Sequence, residues 1–188
     1  MAQLHPILVN GQWVVPHSTK ARTITNPATL DTLGTVADCD LHDVDHAVMA
    51  ALNAQRAWWK VPGIEKARLL REVAARIREK GPELAPLLAR ETGKPLIEAV
   101  DCIDWVAICF EYYAEVGRRS YGNSIPPGAA HQINFTIKEP FGVVAVIVPF
   151  NFPLLLTAWT MQWIAAPARS CLRAVSTMPT VLSGPASS

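Results

Sequence analysis

At 188 residues, half of them hydrophobic, the chain has room for one ordinary domain with a real core. Its 17 lysines and arginines against 16 acids leave a net charge of +1, so bulk electrostatics call for no nucleic acid, anionic membrane or acidic partner. Cys39, Cys102, Cys109 and Cys171 form no C-x-x-C pair and no dense framework, which suits free thiols in the cytoplasm, and the first residues lack the basic-then-apolar order of a secretion signal.

Residues 7–9 and 12–15 flank Asn10-Gly11, the strongest local hairpin signal. Thr25-Asn26-Pro27-Ala28-Thr29 reads as a turn ahead of a short strand over 32–36, and Asp40 and Asp43 stand as N-caps for the helix that follows. Val44, Ala47, Val48, Ala51, Ala54 and Trp58 recur at helical steps as the apolar stripe of that helix, which ends before Pro62-Gly63. A second helix over about 64–80 puts Ala67, Leu70, Val73, Ala74 and Ile77 on one side; Gly81-Pro82 ends it and opens a third over 83–92. Gly93 stops the third, and Pro95 begins a long fourth helix that turns Leu96, Val100, Ile103, Ala107, Phe110 and Ala114 inward. Arg68, Arg71, Arg76 and Arg78 alternate with Glu65, Glu72 and Glu79 as pairs on the helix surface, not as a nucleic-acid patch. A loop over 122–128 then leads to an alternating, half-exposed strand over 132–138, whose edge is free to pair with another subunit.

The run over 143–148, Val-Val-Ala-Val-Ile-Val, predicts a parallel strand covered on both faces. Pro149 and Pro153, around Phe150-Asn151-Phe152, stop both ladder and helix. An amide at the carboxyl end of a parallel strand faces the crevice where open α/β sheets bind ligands, and its NH2 can donate to a developing oxyanion. Asn151 therefore points to acyl or carbonyl chemistry; by its spacing it also reads as a turn amide bonded to its own backbone, and Phe150 and Phe152 read as core aromatics. No charge occurs from 140 to 168, a length that could cross a bilayer. Proline and asparagine in mid-run would leave backbone groups without partners in lipid, so a strand, a tight loop and a buried helix are expected, with no membrane span.

Other candidates carry less chemistry. His42 and His46 have the i, i+4 spacing of a chelating pair, with Asp43 and Asp45 between them, but capping and solvation at a polar helix start explain all four, and no metal is expected. Cys171 has arginines beside it and no proton acceptor, so it reads as a free thiol; Cys102 and Cys109 share a helix face as small hydrophobes. The glycines give no G-x-G-x-x-G fingerprint. From Ser170 onward the chain has no periodicity, acid or lysine and is expected to be poorly ordered.

Taken in order, Asn10-Gly11-Gln12-Trp13-Val14, Asn26-Pro27-Ala28-Thr29, Asp43-Val44-Asp45-His46-Ala47-Val48, Glu91-Thr92-Gly93-Lys94-Pro95, Glu139-Pro140-Phe141-Gly142-Val143-Val144 and Pro149-Phe150-Asn151-Phe152-Pro153 resemble the N-terminal landmarks of the aldehyde dehydrogenases. The likeness covers about residues 7–159. It implies an α/β fold: the N-terminal part of that family's Rossmann-like dinucleotide-binding domain over 1–159, with part of the oligomerisation arm at about 131–139, and a divergent tail over 160–188, as from a truncation or frameshift after Trp159. It also implies oxidation of an aldehyde to a carboxylic acid with NAD or NADP through a cysteine thiohemiacetal, Asn151 being the oxyanion donor and Ile147, Val148, Pro149 and Phe150 lining the cofactor cleft. Phe150 stands where the family usually has tryptophan, which keeps an aromatic wall and loses an indole donor. No Lys follows Lys138, no Asp or Glu follows Glu139 and no His follows His131, so the chain lacks the nucleophile and base and is expected to be inactive alone. The rival reading is a non-catalytic fragment or interaction protein that pairs with itself or with a full-length relative.

Overall fold

A computed structural model describes residues 4–119, 121–165 and 175–177. The N-terminal part is two small sheets. Strands β2 (Ile7–Val9) and β3 (Gln12–Val14) form the predicted hairpin, with Ile7 opposite Val14. Asn10 (φ 51°) and Gly11 (φ 78°) both occupy the left-handed region, as a two-residue hairpin turn demands. The second sheet has the order β1-β5-β4: β5 (Thr32–Ala37) pairs antiparallel with β4 (Ala21–Thr25) and parallel with β1 (Leu4–His5). The turn between β4 and β5 is closed by Asn26, whose Oδ1 accepts from the Ala28 N–H at 2.9 Å.

Helix α1 (Leu41–Lys60) begins in a capping box: the Asp43 N–H donates to Asp40 Oδ1 at 3.1 Å and the Asp40 N–H to Asp43 Oδ2 at 3.2 Å. Of its predicted stripe only Ala51 is fully buried, and Val44 stays half exposed. The main core lies in the following helices, α2 (Gly63–Glu79), α3 (Gly81–Thr92), α4 (Leu96–Arg118) and α5 (Pro153–Ala165). Ala67, Leu70 and Ala74 of α2 pack on Val106, Ala107, Phe110 and Ala114 of α4 and on Ala158 of α5. Ala85 and Leu88 of α3 pack on Ala99, Cys102 and Ile103 of α4, with Leu154 and Leu155 of α5 touching both groups. Alanine at so many contact positions lets the helices approach closely around α4.

Three side chains assigned to the core do not lie there. Val73 of α2 is exposed, and so are Leu96 and Val100 of α4, because α3 docks on the Ala99–Ile103 side of α4 and the ridge through Leu96 and Val100 lies off that contact. The arginines of α2 also divide. Arg68 pairs within its helix, with Glu65 at 3.1 Å and with Glu72. Arg71 and Arg78 instead reach across to α4, Arg71 to Glu115 at 2.6 Å and Arg78 to Glu111 at 2.9 Å and Asp104 at 3.3 Å.

Beyond α4, β6 (Ser124–Ile125) and β7 (Asn134–Phe135) pair antiparallel, a shorter ladder than the strand expected over 132–138. A Cβ on Gly122 would stand 1.7 Å from the Thr136 carbonyl oxygen, so the two backbones meet where only glycine fits. Strand β8 (Val146–Val148) pairs in parallel with β9 (Val175–Thr177), and α5 lies in the connection between them. A parallel pair joined through a helix is the βαβ unit of open α/β sheets. β9 falls within the stretch expected to be poorly ordered; the rest of that tail lies outside the described residues. Among the described residues no helix is long and apolar enough to cross a membrane.

Candidate functional site

The site is the carboxyl end of β8 and the loop that carries the chain into α5. Val148 is 5% exposed and turns into the core, while Ile147 beside it is 72% exposed. The expectation of a strand covered on both faces is therefore corrected: the alternation of a strand sends Val148 towards the helices, and among the described residues nothing lies over the face of Ile147. Pro149, Phe150, Asn151 and Phe152 are all exposed. Pro153 is the first residue of α5, where a missing N–H costs nothing, and the Leu156 N–H donates to the Phe152 carbonyl at 3.0 Å as the first turn closes.

Asn151 is thereby held between a strand end and a helix start with its side chain in the open. Its amide makes no hydrogen bond among the described residues, so the turn-amide alternative, in which it is spent on its own backbone, does not describe this geometry. Two donor hydrogens remain available for a ligand oxygen. Ile147, Pro149 and Phe150 flank it as an apolar surface, and Val148 can contribute there through its backbone alone.

Lys94 holds this loop from below, a role that the sequence spacing does not reveal. Its Nζ lies 3.9 Å from the centre of the Phe152 ring, so Phe152, read from sequence as simple packing, is the face of a cation–π contact. Lys94 follows Gly93, which ends α3 in the left-handed conformation (φ 75°) with its N–H on the Ala89 carbonyl. A Cβ on Gly93 would stand 2.8 Å from Pro27 Cγ. The Asn-Pro-Ala-Thr turn thus sits on the Glu-Thr-Gly-Lys turn, which sits on the Phe-Asn-Phe loop. The order of these motifs along the chain is the one signal that could have linked them.

The thiols near this layer are quiet. Burial pushes the Cys102 thiol up and Asp101 adds to the effect, against the Lys94 charge and the Leu155 N–H. Burial and then Asp43, Asp38 and Asp40 push the Cys39 thiol up as well. Cys109 is buried and accepts the Trp159 indole N–H at 2.8 Å. None of these is poised as a nucleophile; Cys171 lies outside the described residues. Burial also raises the Glu91 carboxyl above its ordinary range.

His42 and His46 do not act as a pair. Asp43 is buried in the capping box, and its carboxylate takes the backbone N–H groups of His17 at 2.7 Å and Ser18 at 3.2 Å. Burial raises the Asp43 carboxyl, but these N–H donors together with that of Asp40 outweigh it and hold the group below its ordinary value. The His42 ring lies 4.6 Å from the ring of His17, between centres.

Residues 13–171 match the model of the aldehyde dehydrogenase family, a span that runs on past Trp159. Aminoaldehyde dehydrogenase 1 of Malus domestica, a peroxisomal enzyme, is 40% identical over 161 residues, which is 81% of this chain and 32% of that protein. The NADP-linked succinate-semialdehyde dehydrogenase of Escherichia coli is 36% identical over 173 residues, 92% of this chain and 36% of the enzyme. Among solved structures, betaine aldehyde dehydrogenase of Staphylococcus aureus in complex with NAD+ superposes with a TM-score of 0.84 at 29% identity, covering 89% of this chain and 34% of the other. The chain thus spans about a third of the length of the relatives it matches. Matched over most of its length by that family model, and carrying the family's landmarks in order around one strand end, this chain belongs to the aldehyde dehydrogenase family.

Proposed function

We propose that these residues form the oxyanion donor and one wall of the cofactor cleft of an NAD- or NADP-dependent aldehyde dehydrogenase. The observation that carries the reading is the Asn151 amide, exposed and free of hydrogen bonds among the described residues, at the carboxyl end of a parallel strand. In the reaction a thiolate attacks the aldehyde carbon, and the carbonyl oxygen becomes an oxyanion to which the Asn151 NH2 donates. NAD or NADP held against Ile147, Pro149 and Phe150 would supply the acceptor for the hydride of the former carbonyl carbon, and water would release the acid from the resulting thioester. The exposed apolar faces of Ile147, Pro149 and Phe150, with no acid among them, fit a flat ring system; Val148 offers backbone only. The chain carries no acid beyond Glu139 and no histidine beyond His131, so the residues that follow Asn151 supply no carboxylate or imidazole base to activate a thiol.

The substrate is an aldehyde, the compartment is the cytoplasm, and the 188 residues alone do not turn over. NAD+ and NADP+ titrated into the isotopically labelled chain are expected to shift the resonances of Ile147, Phe150 and Asn151 first; shifts confined to other elements would remove the cleft assignment. Steady NADH production from an aldehyde by the purified chain, abolished by Asn151→Ala, would overturn the division of labour.

A second reading concerns partners. Ile133, Phe135 and Ile137 are exposed on and beside β7, a two-residue strand with an open edge, which favours pairing with another copy or a longer relative. A sedimentation measurement showing a monomer, together with no co-purification of a longer relative, would remove it.

A further inference from the structure

Outside the site at β8, one cluster gathers metal-binding side chains from two separate parts of the chain. His17, from the segment after β3, and Asp40 and His42, from the start of α1, each present one ligand atom within 4.8 Å of the others. His17 Nδ1 lies 2.8 Å from Asp40 Oδ2. Asp40 Oδ1 accepts the Asp43 N–H that caps the helix, and Oδ2 is the oxygen that faces His17.

We propose that His17, Asp40 and His42 form a binding site for a first-row divalent cation of the zinc class. Two imidazole nitrogens and one carboxylate oxygen are the donor set that zinc, cobalt and nickel prefer, and three protein ligands leave the remaining positions to water. Bonds of about 2 Å place donor atoms at most about 4 Å apart around the ion. His17 and His42 are both exposed, so rotation about their side-chain torsions closes the remaining gap without moving the core.

The backbone that carries these ligands is already fixed. The buried Asp43 carboxylate takes the N–H groups of His17, Ser18 and Asp40, so one group ties together both segments that supply the ligands. Asp38, Asp43 and Asp45 add negative charge to that of Asp40 and offset the positive end of α1, which would otherwise repel a cation. His46 lies a turn further along α1, outside the cluster. The site is remote in sequence from Asn151 and does not depend on the dehydrogenase reading.

The test is a zinc titration of the 188-residue chain, purified without a histidine tag and followed by calorimetry. One zinc per chain is expected to bind, with affinity reduced at least about tenfold by His17→Ala and by His42→Ala and unchanged by His46→Ala. No saturable uptake, uptake unaffected by both of the first two changes, or an equal loss in His46→Ala would overturn the site. Cobalt added to the unaltered chain guards against a folding artefact. It is expected to broaden the imidazole resonances of His17 and His42 ahead of those of His5, His46 and His131, and broadening that begins elsewhere removes the proposal.

Discussion

Phe110 on α4 and Ile147 on β8 have comparable apolar side chains and opposite surroundings. Phe110 is 7% exposed and closed in by α2 and α5; Ile147 is 72% exposed at the strand end beside Asn151. Around Phe110 the chain supplies small partners, Ala74, Ala107 and Ala158, that let helices close. Around Ile147, Phe150 and Phe152 it supplies two prolines and an asparagine, which hold a surface open. The first region shows what apolar residues do for stability, the second what they do when left for another surface to cover.

The contrast is broken most severely at Phe110. Phe110→Ala removes a buried ring between three helices and is expected to lower stability by about 3–5 kcal/mol, read as a lower urea midpoint. Ile147→Ala is expected to change stability by less than about 0.5 kcal/mol in the same measurement. A large loss at Ile147 would mean that its face is covered in solution.

Asp43 comes next, because it is a buried acid that serves two segments at once. Asp43→Ala removes the side-chain half of the capping box and leaves the N–H groups of His17, Ser18 and Asp40 without their acceptor, an expected loss of about 2 kcal/mol. The pH dependence has a defined sign. The folded pKa of Asp43 lies below its ordinary value of 3.8, so its contribution is complete above that value and is lost as the pH falls below it. Glu91 acts the other way: its folded pKa is raised, so the cost of burying its charge is present at neutral pH and is relieved as the pH falls through the raised value. Thermal melts of Asp43→Ala and Glu91→Gln from pH 7 to pH 3 should separate the two, the first variant losing the acid-induced drop and the second gaining stability mainly at neutral pH.

The two regions also differ in how far they can be read from sequence. Local signals carried the hairpin, since Asn10-Gly11 dictates its turn, and the four helices before β8, since Gly and Pro mark their ends. The Asn151 position was legible because two prolines and an apolar run leave a single polar side chain. Pairings between distant segments were not. Strand β4 has an exposed, alternating sequence whose only clue is its partner β5, and Asp43 is an ordinary N-terminal acid until the segment holding His17, 26 residues earlier, folds onto it. Arg78 likewise looks like any surface arginine until α4 brings Glu111 beside it. At the candidate site, the sequence singles out Asn151 as the polar side chain of the loop but does not show the contact of Lys94 with Phe152, because a cation over a ring leaves no pattern in the sequence.

The layering of the three turns can be tested at Gly93. Gly93→Ala forces a side chain into a left-handed position and against Pro27, with an expected cost of about 1–2 kcal/mol. Amide exchange should rise at the Asn26 turn as well as at the end of α3. A rise confined to α3 would show that the two turns are not coupled.

The smallest effect is expected where the site itself is held. Lys94→Met keeps an unbranched stem against Phe152 and removes the charge above its ring, so the loss should be about 0.5–1 kcal/mol and hard to see in global unfolding. Local exchange is the sharper probe, because Phe152 leads directly into the first turn of α5, where the Leu156 N–H bonds to its carbonyl. Faster exchange at Leu156 with unchanged exchange at Phe110 would show that the lysine steadies the loop around Asn151 without supporting the core. Equal acceleration at both would instead make Lys94 part of the general packing of α3, α4 and α5, and the distinction between a closed core and a held-open strand end would fail at the point where the two meet.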